Sequence, residues 1–148
     1  MTATGNVTNP PRGFGIFTSL CLVLGVVGLL GNGLFLFLNL SHGMSLRVEE
    51  GLVLFGLLAL HLTRSAGYLA GWAMIRNKMS WARPLVVACA ATSLLELAYN
   101  TTTAATKGTI NLSPETALYF LLPLLLEGSV FWYFARRPVG AYLAGRRG

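Results

Sequence analysis

Charge is scarce in this chain. Aspartate, glutamate, lysine and arginine make up 11% of its residues, about half the share of a soluble domain. That shortage, together with 54% apolar residues and a mean hydropathy of +0.62, excludes an ordinary soluble fold for one domain of 148 residues. Cysteine is scarce as well. Cys21 and Cys89 stand singly inside apolar segments, form no C-x-x-C pair, and read as small packing residues, with no redox or metal assignment. A cleavable leader is not expected: the first apolar run, 14–40, exceeds the roughly 7–15 residues of a signal-peptide core and no small-x-small site follows it. The net charge of +6 would suggest nucleic acid in a soluble protein. Here the basic residues gather at the ends of apolar segments and no basic helix is interleaved with aromatics, which excludes nucleic acid as a partner.

What is present is a set of four apolar segments, 14–40, 52–74, 84–105 and 116–134. A bilayer crossing takes roughly 20 such residues. The expected architecture is therefore an all-α membrane protein, a four-transmembrane-helix antiparallel bundle forming a single domain, with short tails at 1–13 and 135–148. Eight of the eleven lysines and arginines fall in the two tails and the connection around Lys78. Two lie in the other connections and the eleventh is Arg64. This asymmetry predicts a multi-pass protein of the cytoplasmic (inner) membrane with both termini in the cytoplasm and anionic headgroups against the basic side. Trp72 and Trp81 flank the basic connection as interfacial anchors. The end of the chain, with Tyr142 and Leu143, predicts a short interfacial turn.

Four ionisable residues interrupt the apolar runs. His61 and Arg64 lie in the second segment, Glu96 in the third and Glu127 in the fourth. An arginine facing lipid at mid-membrane costs at least ~2.5–3.5 kcal/mol, so Arg64 is expected to face protein or water. At ~1.5 Å per residue the four residues sit about 13–18 Å below the outer ends of their helices, within about one turn of a common level. They are expected to form one buried His/Arg/Glu/Glu cluster. His61, Arg64, Ser65 and Tyr68 share one helix face, and Cys89, Thr92, Glu96 and Tyr99 form a polar stripe on the third helix. Thr92, Tyr68, Tyr99 and Asn32 are the expected supporting residues. Asn32 could bond across the bundle or to its own helix. With both glutamates ionised and His61 neutral the cluster would be net −1, so one carboxyl is expected to hold a proton or His61 to be charged.

Glycines supply the means of close packing: Gly25, Gly28 and Gly31 on the first helix, and a G-x-x-x-G at Gly67 and Gly71 on the second. Pro123 is expected to kink the fourth helix near Tyr119, and Ser113 to cap its start. His42 reads as a solvated loop histidine. Two glycosylation triplets, at Asn6 and Asn100, read respectively as chance in a cytoplasmic tail and as a hydrogen-bonding helix end.

The stretches SWARPL, LLELAYN and WYFARRPVGAYL, at 80–85, 94–100 and 132–143, resemble an uncharacterised group of small four-helix bacterial and archaeal integral membrane proteins. The shared features are a W-A pair after the second helix, an L-E pair further along the third, and a closing Y-x-x-R-R-P boundary. The resemblance covers about the C-terminal two thirds. It implies the four-helix fold and a prokaryotic inner-membrane location, and it implies no activity. This chain departs from the group in carrying His61 and Arg64 where an acidic residue is usual.

Three function classes remain at this stage. A non-catalytic membrane subunit or interaction protein would use the cluster as structure and its lipid-facing sides for partners, as a homodimer or within a larger complex. A small proton-linked transporter or channel component would use a titratable member of the cluster. A membrane-embedded enzyme would use the carboxylates and histidine for acid–base chemistry. No cofactor is expected: haem held by two histidines needs both at matched depth, and His42 in a loop cannot supply the second.

Overall fold

The computed structural model describes residues 9–41, 48–108 and 114–145, and they are all-α. Five helices follow one another: α1 (Phe14–Ser41), α2 (Val48–Arg76), α3 (Ala82–Thr106), α4 (Pro114–Ala135) and α5 (Arg137–Gly145). The boundaries match the four apolar segments to within four residues, α2 beginning earlier, at Val48. Phe14–Ser41, Val53–Arg76 and Ala82–Thr106 are long and apolar enough to cross a membrane, whereas the apolar stretch of α4, Phe120–Ala135, is shorter. His42, the Asn6 triplet and the Ser113 cap lie outside the described residues.

Consecutive helices pack antiparallel, α1 on α2, α2 on α3 and α3 on α4, while α1 and α4 scarcely meet. The tight connection between α2 and α3 sets their register. Lys78 takes a left-handed φ of 58°, with its amide on the Ile75 carbonyl at 3.1 Å and the Met79 amide on the Met74 carbonyl at 2.8 Å. This double closure is the Schellman pattern of a helix end, made here with lysine at the position glycine usually takes. The helices that leave this turn are held close by small residues. A Cβ on Gly67 would meet the Cys89 sulfur at 2.5 Å, and one on Gly71 would strike Val86. On the other side of α2, Gly25 gives way to Leu69 and Gly28 to Ser65. Gly31, third in the expected ridge, has open space around it.

Packing is uneven along the bundle. Among the described residues the buried positions of α1 end at Gly25, those of α3 end at Ser93, and those of α4 begin at Glu127. On α2, among the described side chains, only Leu58 is buried beyond Ser65. The core thus fills the half nearest the chain ends, around Tyr68, Val86, Val130, Phe134 and Cys21. The far half spreads open, with Leu30, Phe37, Leu118 and Leu125 each more than 60% exposed.

The residues after α4, expected as a short interfacial turn, are helical. They form α5, whose Val139, Tyr142 and Leu143 are buried against the core, Tyr142 meeting the ring of Phe14 edge-on at 5.0 Å. Arg83 explains the sharp reversal into α5. Its Nε and Nη2 donate to the carbonyls of Phe134 and Ala135 at 2.8 and 2.9 Å, satisfying the last acceptors of α4 with a cation where the helix dipole favours one. Gly140 leaves room for that guanidinium, since a Cβ there would lie 2.7 Å from Nη1. Phe17 stacks on Tyr133 at 4.1 Å, and the Tyr133 hydroxyl donates to the Pro11 carbonyl at 3.3 Å, which ties the start of α1 to the end of α4.

Candidate functional site

The α2–α3 hairpin places Arg64 and Glu96 at one height. Arg64 lies 12 residues before the end of α2 and Glu96 14 residues after the start of α3, about 18 and 21 Å from the turn. Their side chains meet there. Arg64 Nη1 donates to Glu96 Oε2 at 2.7 Å. His61 Nε2 lies 3.0 Å from the other carboxylate oxygen, Oε1. Arg64 Nη2 lies 2.8 Å from His61 Nδ1 and closes a three-membered ring of contacts.

This ring fixes a tautomer. A guanidinium can only donate, so Nδ1 must accept from Nη2 and carries no proton. Nε2 then carries the ring proton and donates to Oε1. Neutral imidazole, guanidinium and carboxylate together sum to no charge, and both carboxylate oxygens have a donor. The Arg64 and Glu96 side chains are only 15% and 14% exposed, while that of His61 is 29% exposed at the rim.

Glu127 stands apart from this ring. It is buried on α4 and takes a hydrogen bond from the Tyr68 hydroxyl at 3.3 Å, with Ser93 beside it in the same lining. Among the described residues no cation lies within ion-pair distance of it. The four ionisable residues nonetheless line one cavity of about 180 Å³, together with Ser93, Leu97, Asn100, Phe120 and Pro123. The cavity stands where the packed half of the bundle gives way to the open half. On its packed side Tyr68, Val130 and Phe134 are buried.

Of the expected supporting residues, only Tyr68 reaches the cluster. The Asn32 amide donates to the Gly28 carbonyl of its own helix at 2.7 Å. Thr92 does the same to Ala88 and Cys89 at 3.0 and 2.8 Å. Tyr99 is 71% exposed. The inward stripe of α3 is Cys89, Ser93, Glu96 and Asn100, rotated by one residue from the stripe through Thr92 and Tyr99. Both sets keep helical spacing around Glu96, and both pair a hydroxyl with a larger polar residue. Ser93 and Asn100 therefore carried a signal, but one that periodicity alone could not separate from its neighbour. Ser65, on the same face as Arg64, sits against Gly28 and donates to the His61 carbonyl at 2.9 Å.

Among the described residues no three histidine, cysteine or acidic side chains converge to hold a metal ion, and Cys21 and Cys89 are buried free thiols. Comparison of the chain with family models, with curated proteins and with solved structures finds no match in any of the three.

Arg64→Ala should lower the stability of detergent-solubilised protein by about 3–5 kcal/mol, the usual cost of stripping one side of a buried pair. Adding Glu96→Gln should recover more of the loss than adding Glu127→Gln, because among the described residues Arg64 contacts the Glu96 carboxylate directly and acts on Glu127 only at longer range. Arg64→Lys should recover little, since one ammonium cannot supply both the Oε2 and the Nδ1 contacts of the planar fork. Thermal midpoints of the single and double variants measure this, and equal rescue by either glutamine would mean one shared cluster instead.

Proposed function

We propose that the chain is a four-span integral membrane protein of the cytoplasmic membrane, with both termini in the cytoplasm, acting as a non-catalytic membrane subunit or interaction protein. The observation that carries this reading is the completeness of the His61–Arg64–Glu96 ring. Its charges cancel within the chain and its contacts join α2 to α3, so it serves as a clip that fixes two helices at one register. The α4 helix, with 22 residues and a length of about 33 Å, supports a fourth crossing even though its apolar stretch is short. The open far half supports a role in receiving a partner, either a second copy of this chain or another membrane subunit. Membership of the small four-helix group resembled by SWARPL, LLELAYN and WYFARRPVGAYL belongs to the same proposal.

One observation favours a second reading. Glu127 faces the cavity outside the neutral ring, takes a hydrogen bond from the Tyr68 hydroxyl and, among the described residues, has no cation within ion-pair distance. A proton-linked carrier needs such a carboxyl. The side chains buried on the packed side of the cavity, Tyr68, Val130 and Phe134 among them, weigh against it.

Two measurements test these assignments. Reporters fused at residue 79 or the C-terminus should read as cytoplasmic, and those at 45 or 110 as outside. A C-terminal fusion reporting outside would overturn orientation and span count together. Purified protein in liposomes under an imposed pH gradient should pass no more protons than empty vesicles, and Glu127→Gln should change nothing. A proton flux that Glu127→Gln abolishes would establish the carrier instead.

A further inference from the structure

A second concavity lies at the other end of the bundle, between the first turns of α1 and the last turn of α2. It measures about 410 Å³, more than twice the polar cavity. Its floor is Thr18 and Ile75, both buried, and its walls are Phe14, Leu22 and Trp72. The Thr18 hydroxyl is turned into its own helix, donating to the Phe14 carbonyl at 2.7 Å, so the floor presents an apolar surface. At the rim stands Arg76, exposed, its guanidinium 5.2 Å from the centre of the Trp72 ring. Among the described residues Arg76 has no carboxylate partner.

We propose that this groove holds one anionic phospholipid of the leaflet nearest the chain ends, its phosphate on Arg76 and the start of an acyl chain between α1 and α2. The inference rests on the membrane reading above and adds a specific site to the general attraction of a basic surface for anionic headgroups. Three features select this occupant. The groove lies at the level where Trp72 and the run from Arg76 to Arg83 mark a membrane boundary, which is where a phosphate would be. Its one charge is positive, and an arginine fork matches phosphate oxygens. Apart from Ser19, its remaining walls are mostly apolar and run along the helices away from Arg76, as a chain following the phosphate would. Two other arginines of this end are engaged elsewhere: Arg83 caps α4, and Arg136 lies 3.0 Å over the Trp132 ring.

The test compares wild type with Arg76→Gln, Arg136→Gln and Gly15→Leu in detergent micelles doped with phosphatidylglycerol or phosphatidylcholine. Gly15 lines the groove and a Cβ there meets nothing within 4 Å, so leucine is chosen to fill groove space from a position whose Cβ clashes with nothing. Lipid retention is read by native mass spectrometry and thermal midpoint by tryptophan fluorescence. Wild type should retain one phosphatidylglycerol in preference to phosphatidylcholine and gain thermal stability from it. Arg76→Gln should weaken retention roughly fivefold or more, on the scale of one basic residue at an anionic surface. Gly15→Leu should weaken it too, while keeping the lipid-free midpoint of wild type. Arg136→Gln, which removes the same charge at the same end, should retain the lipid.

Equal loss from Arg136→Gln and Arg76→Gln would reduce the effect to diffuse charge and overturn the site. So would indifference to Gly15→Leu, or equal stabilisation by glycerol phosphate without acyl chains, which would make it a free-anion site. A wild-type dimer that Gly15→Leu converts to monomer with no lipid effect would assign the groove to a second copy. Extraction of the chain from membranes by alkaline carbonate tests the membrane reading separately, since a released chain fails that reading whatever lipid it binds.

Discussion

A guanidinium carried on the middle of an apolar helix keeps its charge, and the surroundings must answer it. Arg64 is answered twice, by a carboxylate on α3 and by an imidazole one turn away on its own helix. Much of the bundle's geometry follows from making those contacts possible. A hydrogen bond of 2.7 Å between side chains of two helices tolerates neither a register slip nor a wider separation. The closed turn at Lys78 sets the register, and Gly67 and Gly71 set the separation. The two devices lie nearer the turn than the ring does, so the hairpin brings Arg64 and Glu96 together as its helices extend from a fixed end.

The same end is where the protein is densest. Arg83 draws α4 to a stop, α5 folds back over the core, and Phe17 and Tyr133 close α1 onto α4. Beyond the ring the helices part, and among the described residues many of their leucines and phenylalanines stand exposed. The ring and Glu127 therefore sit at a boundary, with a packed core on one side and open apolar surface on the other. A neutral clip suits that place. It holds α2 and α3 where small-residue packing ends, and it leaves no uncompensated charge within itself next to apolar surroundings.

The helices were legible because each is a long apolar run with polar or basic punctuation, a signal that depends on composition more than on detail. The approach of His61, Arg64, Glu96 and Glu127 to one cavity was legible for a related reason: ionisable groups are so costly in such runs that equal depth on three helices points to contact. How they divide was not legible. Depth along a helix axis says nothing of azimuth, and a rotation of one residue separates Thr92 and Tyr99 from Ser93 and Asn100. The same ambiguity hid that Glu127 is in contact with Tyr68 while Arg64 is in contact with Glu96. α5 was missed because RPVGAYLAG is short and weakly apolar. Its helix is sustained by docking Val139, Tyr142 and Leu143 on a core that no local pattern announces.

The central claim is that Arg64 and Glu96 hold His61 as a neutral ring with its proton on Nε2. Nitrogen NMR of histidine-labelled protein in bilayers or micelles tests it directly, with a His42→Gln variant leaving His61 as the sole signal. The account predicts one bare nitrogen at Nδ1 and one protonated nitrogen at Nε2, in slow exchange with water at neutral pH. Arg64→Gln should convert this to the averaged pattern of a free imidazole. A wild-type His61 that already shows that averaged pattern, or that carries its proton on Nδ1, would contradict the ring and with it the reason α2 and α3 are held where they are.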